Sequence, residues 1–486
     1  MKKISVVGGG VGGLAIAIRM AVRGYEVSLF EKNDQVGGKI GQIKAQGYRF
    51  DTGPSLFTQP YLIEELIKLC NKNPKEYFRY HKLKESCRYF FEDSTLVIGY
   101  SDSQLLANEL YKKTGVKSSK VLNHLKKSAF LYNATRRLFL ENSLHKLTTY
   151  LNFKSFIAIS KLPFLDLFTS MSKRNKKRFN NKKTEQIFNR YATYNGSDPF
   201  KAPAILNLIP HLEINRGVYF PEKGMRSIAN LLERLCREMD VKLYTNTNVE
   251  RISYKNKKVT GVYAQEKFYE SDIVICNQDI YFVYDRLLNN RKVVQTLEQQ
   301  ERSTSAIIFY WGINRQFDKL ELHNIFFSKN YKDEFHEISN DKNVPNDPTI
   351  YVNISSKEQK HDAPINCENW FVMINTPSNY GQDWDTIISK ARKNIIQKIN
   401  RILGTSIEDH IVFEDILDPR SIESKTASFK GSLYGTASNK RKAAFFRHPN
   451  FSKSIEGLYF CGGSVHPGGG IPLALSSAKI VDKLIV

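Results

Sequence analysis

The stretch "KISVVGGGVGGLAIAIRM", beginning at Lys3, leaves this chain few folds to choose from. Lys3–Val7 is a β-branched run that predicts a short buried strand, and it leads straight into six residues of which five are glycine. Gly8, Gly10 and Gly13 occupy the fixed positions of G-x-G-x-x-G; Leu14–Arg23 then reads as a helix, and Tyr25–Glu31 as a second parallel strand ending in an acid. Each glycine has a separate task. Gly8 permits the tight turn, Gly10 lets backbone approach a pyrophosphate, and Gly13 lets the helix pack against the strand. The helix N-terminus offers unpaired N–H groups to phosphate. Glu31 stands where a carboxylate accepts from ribose hydroxyls and disfavours a 2′-phosphate, so the expected nucleotide is of the FAD or NAD type.

The next residues separate those two. A second glycine turn, Gly37-Gly38-Lys39, follows the acid directly, and Asp51-Thr52-Gly53-Pro54 comes soon after. An NAD dehydrogenase would continue into another βα unit; a chain that folds back over its cofactor suggests a flavoprotein. Lys39 is placed for a phosphate or the flavin edge.

Composition narrows the rest. A chain of 486 residues with 41% hydrophobic content is long enough for two to four domains. Six cysteines without a C-x-x-C pair describe neither a disulfide framework nor a thiolate metal site, so no metal is expected and the compartment is a reducing one, the cytoplasm. No signal peptide is read at the start, and no window of eighteen apolar residues spans a bilayer. The formal charge of +23 favours an anionic partner. In 171–190, "MSKRNKKRFNNKKTEQIFNR" is strongly basic and follows the apolar, aromatic "FKSFIAISKLPFLDLFTSM"; together they suit an anionic membrane surface. No helix-turn-helix, zinc-finger or RNP-like pattern supports nucleic acid.

Residues 75–215 lose the βα rhythm and carry apolar residues at helical spacing. After "NRGVYFPEKG" comes the helix "MRSIANLLERLCREM". Residues 241–279 are a run of β elements with a hairpin turn at Asn256 to Lys258, and "DIVICN" resembles a strand rejoining the nucleotide sheet. Residues 300–420 alternate as strands before the helix "WDTIISKARKNIIQKINRIL". The expected fold is therefore α/β: a discontinuous FAD-binding Rossmann-like domain (1–74, 216–290, 421–486), a helical substrate and membrane-facing region (75–215), and an inserted α+β substrate domain (291–420).

No nucleophile elbow, H-E-x-x-H or His/Cys/Asp cluster appears, so the catalytic residues are unknown, and a flavin with a large apolar insert suggests oxidation of a lipophilic substrate. The blocks "VVGGGVGGLAIAIRMAVRGYEVSLFEKNDQVGGKI", "YATYNGSDPFKAPAILNLIPHLEINRGVYFPEKGM" and "GLYFCGGSVHPGGGIPLALSSAKI" together resemble the bacterial carotenoid desaturases of the phytoene desaturase type, which include dehydrosqualene and 1-hydroxycarotenoid 3,4-desaturases. The resemblance covers the whole chain. It implies an amine-oxidase-like flavoprotein that sits peripherally on the cytoplasmic side of a membrane and transfers hydride from a carotenoid to FAD.

Carried over by position, Gly8, Gly10, Gly12 and Gly13 would hold the pyrophosphate, and Glu31 with Lys32 the adenosine ribose end. Gly38, Lys39, Gly53 and Pro54 would approach the ribityl and flavin region, and Val249 the adenine. Gly462, Gly463, Gly470, Ile471 and Pro472 would close on the pyrophosphate and isoalloxazine. Contact between Met225 and the flavin is open, because Glu222-Lys223-Gly224 replaces the family's usual double glycine. Within that family the chain's Lys/Asn/Ile-rich make-up and overall look resemble the 1-hydroxycarotenoid 3,4-desaturases; phytoene or dehydrosqualene desaturation remains an alternative. An amine- or protoporphyrinogen-like oxidase and a non-catalytic membrane-associated flavoprotein are the rivals of another class. Quinone or oxygen as acceptor, the oligomeric state and the substrate-binding residues are left open.

The last glycine-rich loop lacks the spacing and the ribose acid of a second fingerprint. With Pro472 in the first turn of the following helix, it reads as the other half of one cofactor site. His466 reads as a wall residue rather than a base.

Overall fold

The computed structural model describes residues 1–146, 149–150, 165–440, 443 and 446–486. Within it, a five-stranded parallel sheet runs in the order Leu458–Phe460, Ile273–Cys276, Lys3–Val7, Glu26–Phe30, Lys242–Tyr244. Its strands come from both ends and the middle of the chain. A parallel sheet is covered on both faces, so its strands are apolar throughout rather than alternating. The alternation reappears in what each residue touches. Ile4, Val6, Val27, Leu29 and Ile275 pack on the helices Val11–Val22, Arg226–Glu238 and Ile471–Leu484. Val7, Phe30, Val274 and Cys276 face the other way, onto a three-stranded antiparallel sheet of Val249–Lys255, Lys258–Ala264 and Lys267–Glu270. The hairpin turn between the first two of those strands sits on Asn256 and Lys257, both at positive φ, as the right-handed twist of a tight hairpin requires.

A seven-stranded sheet forms the second body of structure, in the order Ile411–Leu417, Ser305–Ile313, Glu368–Thr376, Ile350–Asn353, His323–Phe326, Glu85–Phe90, Leu96–Tyr100. Period-two alternation again divides its faces. Ile307, Phe309, Trp311, Trp370, Val372 and Ile374 pack against the helix Trp384–Leu403, through Trp384, Ile395 and Ile399. Ile308, Tyr310, Phe371 and Met373 turn to the opposite side, where a cavity lies.

Two of these strands correct the sequence reading. Glu85–Phe90 and Leu96–Tyr100 belong to the stretch read as helical, and Glu85–Phe90 pairs in parallel with His323–Phe326. Strands of five or six residues are too short to set a period of their own beside the long helices that follow, Ser103–Thr114 and Ser118–Thr135. Residues 75–215 and 300–420 thus share one sheet.

The basic cluster forms two capped helices, Met171–Phe179 and Lys182–Asn189. Met171, Asn175 and Phe179 recur every four residues on the buried side, leaving Lys173, Lys176 and Lys177 exposed. Phe168, just before the first helix, is 81% exposed. The apolar segment expected ahead of this cluster falls largely on 151–164, outside the described residues. No helix among the described residues is long and apolar enough to cross a membrane.

Candidate functional site

A cavity of about 980 Å³ lies between the parallel sheet and the inner face of the seven-stranded sheet, at the top of the usual range for small-molecule sites (roughly 300–1,000 Å³). One end is backbone and glycine; the other is aromatic and aliphatic, with a few buried polar groups.

The glycine end is built from both termini. Gly8 has φ +101° and donates its N–H to the Phe30 carbonyl at 2.8 Å, which turns the chain off the strand and into the helix. A Cβ on Gly13 would stand 2.0 Å from the Gly8 carbonyl oxygen, so this glycine serves helix–strand packing and does not line the cavity. Gly8, Gly10 and Gly12 do line it. The helix Val11–Val22 starts here, and the N–H groups of its first turn have no carbonyl within the helix to meet.

At the other terminus, Cys461 leads into Gly462 (φ +108°), Gly463 and, after a short loop, Gly470 (φ +105°), which precedes the helix Ile471–Leu484 with Pro472 in its first turn. Gly462, Gly463, Gly470, Ile471 and Pro472 all line the cavity, and a Cβ on Gly470 would meet nothing within 4 Å. Two helix N-termini, from opposite ends of the sequence, therefore open on one space.

Asn277 joins the two loops, and sequence reasoning took it only as the end of a strand. Its Nδ2 donates to the Cys461 carbonyl at 3.1 Å. A Cβ on Gly10 would lie 2.7 Å from its Oδ1, and one on Gly462 would lie 2.5 Å from its Nδ2. The glycines are thus required by this side chain as much as by a ligand. No spacing rule within either loop points to a partner that lies hundreds of residues away.

Glu31 is buried on the cavity wall. One carboxylate oxygen accepts from the Gly9 N–H at 2.8 Å, and the other from the Asn33 backbone and side-chain N–H groups at 2.9 Å each. These bonds fix the acid beside the first loop and leave acceptor positions for further donors. Lys32 lines the wall and donates to the Ser424 carbonyl. Gly37 donates to the Gly9 carbonyl, so the second glycine turn does fold back on the first, and Gly38 packs against Gly10. Lys39 reaches the Leu433 carbonyl at 2.7 Å; burial pushes its ammonium down to about 8, with Asp279 pulling the other way. A Cβ on Gly53 would stand 1.8 Å from the Lys39 carbonyl oxygen, and Pro54 continues the wall.

The remaining expectations have different placements. Val249 begins its strand facing inward, packed with Val7 and Phe30 in the core, and does not line the cavity. Met225 is likewise a core residue; its N–H and that of Arg226 donate to the two oxygens of Asp51, at 2.9 and 3.0 Å. Arg226 in turn donates to the carbonyls of Val36 and Ile40, pinning the second glycine turn. Asp51 stands out in the sequence only as part of Asp51-Thr52-Gly53-Pro54, with no sign of this role, and Arg226 carries no sequence signal at all. His466 lines the cavity with its Nε2 3.0 Å from the Asn142 carbonyl; a carbonyl only accepts, so that nitrogen carries the ring proton.

The donor set fits a dinucleotide with an extended pyrophosphate. It offers two helix N-termini, close backbone at glycines that no side chain can replace, one carboxylate beside the first loop and a lysine at the second.

Residues 11–481 match the family model described as flavin containing amine oxidoreductase. Among curated proteins, the chain is 48% identical over 485 residues to a 1-hydroxycarotenoid 3,4-desaturase of Flavobacterium sp., covering 100% of this chain and 99% of that one. It is 32% identical over 490 residues to a 4,4'-diaponeurosporene oxygenase of Staphylococcus aureus, covering 99% and 98%. Among solved structures, putrescine oxidase bound to putrescine shares the fold with a TM-score of 0.64 at 13% identity, covering 100% of this chain and 98% of that one.

Proposed function

This chain belongs to the flavin-containing amine oxidoreductase family, and we propose that within it the protein is an FAD-dependent carotenoid desaturase, acting on the 3,4 bond of a 1-hydroxylated polyene. The observation that carries this reading is the joining of two glycine loops, from opposite ends of the chain, at one end of a cavity floored by an apolar sheet. Full-length identity to a protein of that activity supports the choice of substrate.

Gly8, Gly10 and Gly12 with Gly462 and Gly463 would hold the pyrophosphate, and Glu31 with Lys32 the ribose end. Lys39, Gly53, Pro54 and the helix start at Gly470, Ile471 and Pro472 would border the flavin. Gly13 supports this set through packing. Val249 would act on the adenine only through the core it shares with Phe30.

Desaturation takes a hydride from one of two adjacent carbons and a proton from the other; bound FAD would supply the acceptor for the hydride, and the proton would be released to solvent. The chain's own part is position and dryness. Ile308, Tyr310, Phe371 and Met373 present a flat apolar floor that orients a long hydrocarbon and excludes water. The positive end of the closing helix faces the cavity, where backbone N–H groups favour developing negative charge.

The parallel sheet, built from 1–74, 216–290 and 421–486, would form the cofactor domain, with 75–215 and 291–420 as substrate regions. Exposed Lys173, Lys176 and Lys177 beside Phe168 support a peripheral position on the cytoplasmic side of an anionic membrane, where such a substrate dissolves. Expression in hosts accumulating either phytoene or 1-hydroxylated carotenoids tests the assignment. A longer-wavelength pigment in the second host alone is expected; a shift in the first host alone would reassign the substrate, and none in either would contradict the reading.

A further inference from the structure

The cavity wall holds a buried hydrogen-bond donor that meets no acceptor among the described residues. His323 opens the strand His323–Phe326, opposite Asn353, on the face of the seven-stranded sheet that lines the cavity, and is 3% exposed. Its Nδ1 lies 3.2 Å from Asn353 Nδ2, an amide nitrogen that only donates. The same nitrogen also donates to the Leu322 carbonyl at 3.0 Å, which fixes the amide's orientation. Nδ1 is therefore an acceptor, and the ring proton sits on Nε2.

The Tyr351 hydroxyl, 2.7 Å from Nδ1, donates to it as well and accepts from Ser55 Oγ at 2.7 Å. This short chain of bonds holds the ring in place. Nε2 is buried and has no partner among the described residues. Burial, with the charge of Arg190 nearby, pushes the imidazole down to about 3, so the ring is neutral and Nε2–H remains a donor across the physiological range. A native structure rarely leaves such a group unsatisfied. Among the described residues, one other side-chain atom on the cavity wall is buried without a partner, the Asn195 oxygen, but that residue is only half-buried.

We propose that His323 Nε2–H donates a hydrogen bond to the oxygen carried at the end of the polyene, and so selects oxygenated chain ends over plain hydrocarbon. The inference rests on the desaturase reading above and adds the residue that recognises the substrate's one polar group. Its placement agrees with the chemistry. In a 1-hydroxy, 3,4-desaturating reaction the oxygen is two carbons from the bond oxidised, so its partner must stand near the glycine end rather than at a distant tunnel mouth. The chain Ser55–Tyr351–His323 begins two residues after Gly53, in the loop bordering that end. An apolar chain end would leave Nε2–H buried and unpaired, while an ether, hydroxyl or carbonyl oxygen would accept from it.

The test uses the FAD-reconstituted protein with liposomes carrying a 1-hydroxy polyene or its counterpart lacking only that oxygen. Wild type is expected to prefer the hydroxylated chain by roughly ten- to hundredfold in kcat/KM. H323L should collapse that ratio, whereas H323Q, which keeps a donor, should retain part of it; bound flavin reports that each variant is folded. A ratio that survives in flavin-loaded H323L overturns the inference. Should H323L fail to fold, the wild-type imidazole 15N spectrum decides. An Nε2-protonated ring whose Nε2 signal moves with the hydroxylated polyene alone supports the proposal, and an Nδ1-protonated ring or an unmoved signal overturns it. Wild type that takes both polyenes equally contradicts this inference and leaves the desaturase reading standing. Wild type that takes neither contradicts the desaturase reading itself.

Discussion

Gly12 and Gly462, 450 positions apart in sequence, meet so closely that a methyl group on Gly12 would stand 3.3 Å from the α-carbon of Gly462. Asn277 fills the remaining space on the same side, 2.7 Å from that methyl position. The first and last loops of the chain are therefore one structure, and its geometry depends on a strand end from the middle of the sequence.

Gly462→Ala should separate the loops. Its φ of +108° is open only to glycine, and the new methyl would collide with Asn277 at 2.5 Å. A cost of about 1–3 kcal/mol from the backbone alone is expected. The flavin-to-protein absorbance ratio after purification should fall sharply, together with the melting temperature.

Glu31→Ala removes an acceptor from the Gly9 N–H and, on the proposed reading, from the ribose of FAD. FAD affinity should weaken by about 1.5–3 kcal/mol, the worth of a hydrogen bond to a charged group, measured by fluorescence titration of the apoprotein. Unchanged affinity would remove the acid from the site.

On the proposed reading, Lys39 should give FAD binding a pH dependence. With its ammonium held at about 8, the group is mostly charged at pH 7 and neutral at pH 9. Affinity for an anionic cofactor should fall as pH rises through that value, by up to about tenfold per unit, as binding becomes coupled to proton uptake. Lys39→Met should bind more weakly at pH 7 and show a flat profile between 7 and 9.

Buried histidines should make the fold sensitive to acid. His323 and His124 are both held neutral by burial, below the ordinary value near 6.5. Between the folded and unfolded values the unfolded chain binds more protons, so stability drops as pH falls below about 6.5, by about 1.4 kcal/mol per unit for each group. Urea midpoints measured from pH 7 to 4 should decline less steeply in H323Q than in wild type.

Lipid binding should depend on charge. Replacing Lys173, Lys176 and Lys177 together by glutamine should reduce sedimentation with anionic liposomes, and salt should weaken the wild-type interaction.

What was legible in the sequence is what short-range physics writes locally. Gly8, Gly10 and Gly13 announce a strand–turn–helix because the turn and the close packing involve neighbours along the chain. Strand Ser305–Ile313 shows as a run of nine residues rich in β-branched and aromatic side chains, and helix Trp384–Leu403 shows its period over twenty. The roles of Asn277, Arg226 and Asp51 were illegible because each acts on a segment far away in sequence. The strand Glu85–Phe90 was missed because its partner, His323–Phe326, is equally distant. His323 belongs to no sequence motif; only its neighbours Asn353 and Tyr351 show which nitrogen is left to donate.

The most direct measurement mixes the FAD-loaded protein with a 1-hydroxylated carotenoid in liposomes under anaerobic conditions and follows the flavin band near its visible maximum. The account predicts that the band bleaches in a single turnover while the polyene spectrum moves to longer wavelength by one conjugated double bond. A flavin that stays oxidised beside an unchanged polyene would contradict it.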